Sequence, residues 1–298
     1  MRKVLRTVPL LLLPLALSGC LGGSGGGSSG PSAPVFTSFS TMKPSATTRV
    51  DGIAHELDYT YDSSTVTTVS GYQQSYGSIE ATVDGARSIT GLKVNGPKTT
   101  RSWNAYNSQV EDDGSLIAGV SNDGSDLVMG VLPLDAGYDY QTFGIWQTGR
   151  GTGAGTAGAF SVGAQTAGAN IPNSGTATFR GHSLGSAVDR DGQDYLAGAD
   201  ATLSADFASR TVGFRTDNTV IVEPDSGIVG DAPSLDMTGT MAYGGNSNRL
   251  IGSASTASGM TGTLEGRFYG PQANEVGGLF ILSDDLGEVY GGSFGGVR

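Results

Sequence analysis

The second half of the chain alternates. Ala177, Phe179 and Gly181 fall on one face of a run over 176–183, and in the next run Ala199, Ala201, Leu203, Ala205 and Phe207 oppose Asp200, Thr202, Ser204 and Asp206. Val212 and Phe214 mark a third run that 220–223 extends. Leu235, Met237, Gly239, Met241 and Tyr243 mark a fourth, and 250–257 forms a weaker fifth. The tail reads as a meander. Met260, Gly262, Leu264, Gly266 and Phe268 alternate with Thr261, Thr263, Glu265 and Arg267; breaks at Gly270-Pro271 and at Asp284-Asp285 then bound two more strands, 275–282 and 288–297. Period two is the signature of a strand with one buried and one wet face. Eight such strands suffice to close an antiparallel sheet into a barrel and remove both of its edges. The pattern therefore predicts an all-β chain whose residues 171–298 form an eight-stranded antiparallel barrel.

The sizes of the alternating residues refine this picture. Many inward positions are Gly or Ala, which leaves room for Phe179, Phe207, Phe214 and Phe268 to interdigitate in a narrow interior. Gly277, Gly278, Gly291 and Gly292 weaken a flat strand but allow the coiling that closure requires. The opposite faces carry Asp200, Asp206, Asp236, Glu265 and Arg267 where lipid would demand an apolar band, so the barrel is expected to stand in water.

Residues 35–170 alternate less regularly. Candidate strands are 55–61, 64–70, 78–83, 115–120, 126–132 and 138–147, divided by Asp-Gly, Asn-Gly-Pro and Asp-Asp-Gly turns. The expectation is a separate, irregular β domain, a small sandwich or partial barrel with long loops. The Gly-rich 149–158 reads as a flexible connection, between domains or inside a hairpin. No run at helical spacing follows the leader.

The first 34 residues read differently. Arg2, Lys3 and Arg6 precede an apolar stretch, 8–17, that is too short to span a bilayer, and Leu17-Ser18-Gly19-Cys20 follows. That tetrapeptide resembles a bacterial lipobox. The resemblance implies removal of 1–19 and acylation of Cys20, with Leu21 directing the product to the outer membrane. Acyl chains contribute ~0.8 kcal/mol per buried CH₂, enough to hold a folded domain on a membrane. Residues 20–34 are a Gly/Ser linker with a reach of roughly 20 Å. Cys20 is the only cysteine, so no internal disulfide braces the fold. The formal net charge is -11, and without Arg2, Lys3 and Arg6 the 14 remaining basic residues face 28 acidic ones. Such a surface repels phosphate backbones, which argues against nucleic acid as a partner.

Candidate chemistry is sparse. Gly181-His182-Ser183-Leu184-Gly185 matches the G-x-S-x-G nucleophile elbow, but that chemistry needs a strand-to-helix turn and a downstream base, and His55 and His182 are the only histidines. It reads as a barrel strand. Gly153 to Gly158 matches G-x-G-x-x-G without a helix to open, and so reads as part of the connection. The stretch from Asp189 to Asp194 offers oxygens to Ca²⁺ but lacks EF-hand spacing, and reads as a solvated turn. Two histidines and one lipid-committed cysteine leave no zinc, haem or cluster ligand set, and no tyrosine pair stands out for iron or haem. No enzyme, cofactor or metal is expected.

Residues 266–280, GRFYGPQANEVGGLF, with Gly-Ser-Phe-Gly-Gly at 292–296, resemble the C-terminal barrel signature of transferrin-binding protein B-like surface lipoproteins. Residues 171–181, IPNSGTATFRG, resemble the opening of the same barrels, and Phe143-Gly144-Ile145-Trp146 resembles a strand end of the "handle" domain that precedes them. The resemblance implies a surface-exposed outer-membrane lipoprotein with a handle at 35–170. It would bind a protein or an iron or haem carrier, or work beside an outer-membrane transporter or exporter, by presenting loops on a rigid barrel. The alternative is a structural envelope lipoprotein. Here the strand carrying Val276, Leu279, Phe280 and Ile281, apolar on both sides, is covered by the handle or docks another membrane component.

Overall fold

The computed structural model describes residues 36–62, 65–86, 88–112, 114–224 and 227–298. The leader, Cys20 and the linker lie outside the described residues. What is described is all-β, with three short 3₁₀ turns and no helix long and apolar enough to cross a membrane.

Nine strands make the first sheet: β1 (Thr47–Asp62), β2 (Thr65–Val83), β3 (Ile89–Asn95), β4 (Thr100–Asn104), β5 (Ser108–Asp112), β6 (Leu116–Ser121), β7 (Leu127–Val131), β8 (Gln141–Thr148) and β9 (Ala154–Gly163). Their order is β4-β3-β2-β1-β9-β8-β7-β6-β5, antiparallel throughout. The two edge strands, β4 and β5, are neighbours in the chain, so their short turn draws the edges together and the sheet curls around its own core. Trp103, Trp146, Phe160 and Val50 fill that core.

The first two strands are longer and more continuous than the sequence pattern predicts. Runs 64–70 and 78–83 belong to one strand, β2, which is interrupted by a bulge: between the pairs Glu56↔Gln73 and Asp58↔Ser70, one residue of β1 faces two of β2. Gly71 sits there at φ 61°, the left-handed region glycine enters without steric cost. The bulge breaks the period-two pattern without ending the ladder. Strands β3, β4 and β5 lack sustained alternation and have no counterpart among the predicted runs. The Gly-rich segment takes the second of its two readings, inside a hairpin: 149–153 is the tight turn between β8 and β9, and Ala154 to Gly158 are strand residues, all paired with β1 and Thr156 to Gly158 with β8 as well. Of the two expected forms, sandwich and partial barrel, the single curled sheet is the second.

The second sheet holds β10 (Thr176–Val188), β11 (Asp194–Asp206), β12 (Thr211–Val222), β13 (Val229–Asp231), β14 (Met237–Ala242), β15 (Leu250–Thr256), β16 (Thr261–Tyr269), β17 (Glu275–Ser283) and β18 (Val289–Val297). β18 pairs with β10 and β11 with β12, so eight strands close into a barrel; β13 is a short ninth strand laid on β12. The closed antiparallel barrel is the one the alternation predicts. Leu235, expected at the head of a strand, lies in a 3₁₀ turn just before β14. Inside the barrel Phe268 packs on Phe179, Phe207 and Tyr243 at centroid separations of 6.1, 5.8 and 5.5 Å, and Phe214 meets Phe294 at 4.6 Å. Burying each such ring contributes roughly 1.5–3 kcal/mol, and each aromatic pair ~0.5–1.5 kcal/mol more.

Candidate functional site

The two sheets meet face to face. On β1 and β8 the odd-numbered residues turn away from the handle core: Ile53 and His55 on one strand, Gln141, Phe143, Ile145 and Gln147 on the other. They land on the outer faces of β10, β17 and β18. Ile53, Phe143 and Ile145 share a buried cluster with Leu184 and Leu279 of the barrel. Leu279, the reason β17 is apolar on both sides, is therefore covered by the handle. Several barrel glycines are outward here because the handle presses on them. A Cβ at Gly295 would lie 2.3 Å from the Phe143 ring, and one at Gly277 1.9 Å from Gln141 Oε1.

Polar groups stitch the same surface. Gln141 Nε2 donates to Val276 O at 2.8 Å, Tyr138 Oη to Gly295 O at 3.0 Å, Ser293 Oγ to Gly144 O at 3.0 Å, and Gln147 Nε2 to Ser186 Oγ at 2.8 Å. Ser161 and Tyr269 hydroxyls meet at 2.9 Å. Glu275 Oε1 accepts the amides of Asp139 and Tyr140 at 2.7 and 3.0 Å, while its Oε2 is buried with no hydrogen-bond partner. Burial raises its pKa to about 7, against the pull of those amides. With the carboxylate only 1% exposed, the junction carries a group poised to titrate near neutrality.

Beyond this seam the β1–β2 hairpin overhangs the barrel and leaves a cleft. His55, Tyr59, Tyr61, Val66 and Gln147 line it from the handle, and Ser186, Val188, Asp194, Val289 and Gly291 from the barrel. Val66 N donates to Gly192 O at 2.7 Å and Tyr61 Oη to Asp194 Oδ2 at 3.0 Å, tying the hairpin tip to the β10–β11 turn. His55 is 2% exposed, and burial lowers its pKa to about 4, so the ring is neutral at physiological pH. The bulge at Gly71 brings Tyr72 against it, ring centroids 5.7 Å apart.

The motifs read from the sequence do not converge on this cleft as a catalyst. Ser183 is fully buried in the wall of the barrel, whereas His182 points outward, its Nδ1 3.6 Å from Asp200 Oδ1 with both side chains more than half exposed. The 189–194 stretch is a hairpin turn. Asp189 Oδ1 accepts the amides of Asp191 and Gln193 at 2.9 Å each and Oδ2 accepts Tyr195 Oη at 3.1 Å, so one carboxylate is spent on its own loop. Among the described residues no three His, Cys, Asp or Glu side chains are grouped closely enough to hold a metal ion. Little in the sequence pattern marks Gln147, Tyr61 or Glu275. Their only signal is the shared odd parity on β1 and β8 and, for Glu275, a carboxylate opening an otherwise apolar strand.

Residues 171–298 match the family model of the C-lobe and N-lobe β-barrels of transferrin-binding protein B. No curated protein sequence matches the chain. Among solved structures it is similar to a Trp→Ala mutant of transferrin-binding protein B from Haemophilus parasuis, with 13% identity over 85% of this chain and 76% of that one and a TM-score of 0.45. It is also similar to the isotype 1 protein from Neisseria meningitidis (13%, 86% and 77%, 0.40) and to the N-lobe of lactoferrin-binding protein B from Moraxella bovis (17%, 64% and 78%, 0.35).

Proposed function

We propose that this protein is a surface-exposed outer-membrane lipoprotein, held by acylated Cys20, that captures a protein ligand of the iron- or haem-carrier class, because residues 171–298 match the family model of the transferrin-binding protein B barrels. The family match carries the reading. It is supported by a barrel with a filled interior, which leaves the outside of the molecule to do the work, and by exposed apolar side chains such as Tyr76, Tyr106 and Ile228. Recognition would proceed by surface complementarity without bond chemistry. Two observations test it. Full-length protein displayed on intact cells and offered serum and haem proteins is expected to retain one of them saturably, and Cys20→Ser is expected to abolish display by moving the protein out of the membrane fraction. Retention of nothing from serum, with stoichiometric recovery of an envelope protein instead, would move the assignment to a structural envelope role.

A further inference from the structure

The cleft under the β1–β2 hairpin has an inventory of hydrogen-bonding groups that points to one class of ligand. Three of its donors are spent within the fold: Tyr59 Oη on Thr148 O, Tyr61 Oη on Asp194 Oδ2, and Gln147 Nε2 on Ser186 Oγ. Gln147 Oε1 is buried without a partner on a side chain 2% exposed, Asp194 keeps a second oxygen, and neutral His55, with no partner on Nδ1, offers one donor and one acceptor. Among the described residues no lysine or arginine lines the cleft. The charges that bear on Tyr59 from around it are Asp194, Arg150 and Asp126, two carboxylates against one guanidinium. Its walls are otherwise apolar or aromatic, and Tyr59 and Tyr61 stand edge to face at 5.0 Å.

An anion would meet the Asp194 carboxylate with no cationic side chain in the lining to offset it, and a purely apolar ligand would leave Gln147 Oε1 unpaired. A cationic donor on an apolar stem suits the carboxylate, the unpaired Gln147 oxygen and the electron-rich tyrosine faces. We propose that this cleft binds a primary alkylammonium group, presented either by a lysine side chain of the captured protein or by a free alkylamine. The idea rests on the reading of this protein as a binding module and adds the residue type its partner offers.

The chain's two histidines make the test direct, since ¹⁵N-histidine labelling of the full-length protein gives one reporter in the cleft, His55, and one outside it, His182. n-Butylammonium and Nα-acetyl-lysine methylamide are expected to shift the His55 signals saturably and leave His182 still, whereas n-butyrate moves neither. Asp194→Asn is expected to weaken the ammonium about tenfold or more, equivalent to ~1.4 kcal/mol. Should that variant not fold, the contrast between ammonium and butyrate on the native chain decides alone. A response to both amines assigns the site to a protein lysine; a response to butylammonium alone assigns it to a free amine. A His55 signal that stays silent through millimolar amine, or follows butyrate equally, overturns the proposal. If a serum protein is still retained in that case, the binding-module reading stands and only this site is lost.

Discussion

At Gly295 a single methyl group separates a docked handle from a displaced one. The nearest atom to a Cβ there is on the Phe143 ring, 2.3 Å away, whereas a Cβ at Gly198 would find its nearest neighbour, Ser183 O, at 4.0 Å. Overpacking a buried contact costs about 1–3 kcal/mol. Gly295→Ala is therefore expected to lower the thermal midpoint and expose the junction to limited proteolysis, while Gly198→Ala leaves both unchanged. Glu275 supplies a second prediction at this scale. Its folded pKa, about 7, stands above the ordinary 4.5 of an exposed glutamate, so its contribution is fully present below 4.5 and is lost as the pH climbs through 7. The loss amounts to as much as ~3 kcal/mol, since each tenfold change in proton affinity is worth about 1.36 kcal/mol. Neutral His55 acts in the opposite sense, stabilising above 6.5 and failing as the pH drops toward 4. Comparing denaturant midpoints of the native chain and Glu275→Gln between pH 5 and 8 isolates the glutamate, and the variant is expected to show the flatter profile.

Among the elements, the bulge in β2 decides how the overhanging hairpin is aimed. Gly71 has φ 61°, and a Cβ would lie 2.2 Å from Asp58 Oδ2. Placing an L-residue in the left-handed region costs roughly 1–2 kcal/mol. Gly71→Ala is expected to lose that stability and to swing Tyr72 off His55, which proton NMR would register as a changed ring-current shift at His55. This element also shows what the sequence could and could not convey. Most barrel strands were legible because they alternate against a single core, as Leu203 and Ala205 do on β11. The handle was less so because β1, β8 and β9 are covered on both faces, by Trp146 and Phe160 within and by Leu184 and Leu279 of the barrel without, which erases the polar beat. The same two-sided burial hid the cleft: His55 and Gln147 are adjacent only through the pairing of β1, β9 and β8.

Taken whole, the molecule is two curled sheets whose outer faces have been made into one interior. The proposed binding role and the proposed anchoring at Cys20, like the acidic balance, concern presentation outward, and presentation is effective when the platform does not flex. The central claim is that handle and barrel open as a unit. Native-state hydrogen exchange on the full-length chain measures this directly, through the opening free energies of β8 in the handle and β17 in the barrel. The account predicts that Gln141–Thr148 and Glu275–Ser283 exchange with the same free energy and the same denaturant dependence. Exchange of β8 through a low-energy opening, with β17 still protected, would contradict it.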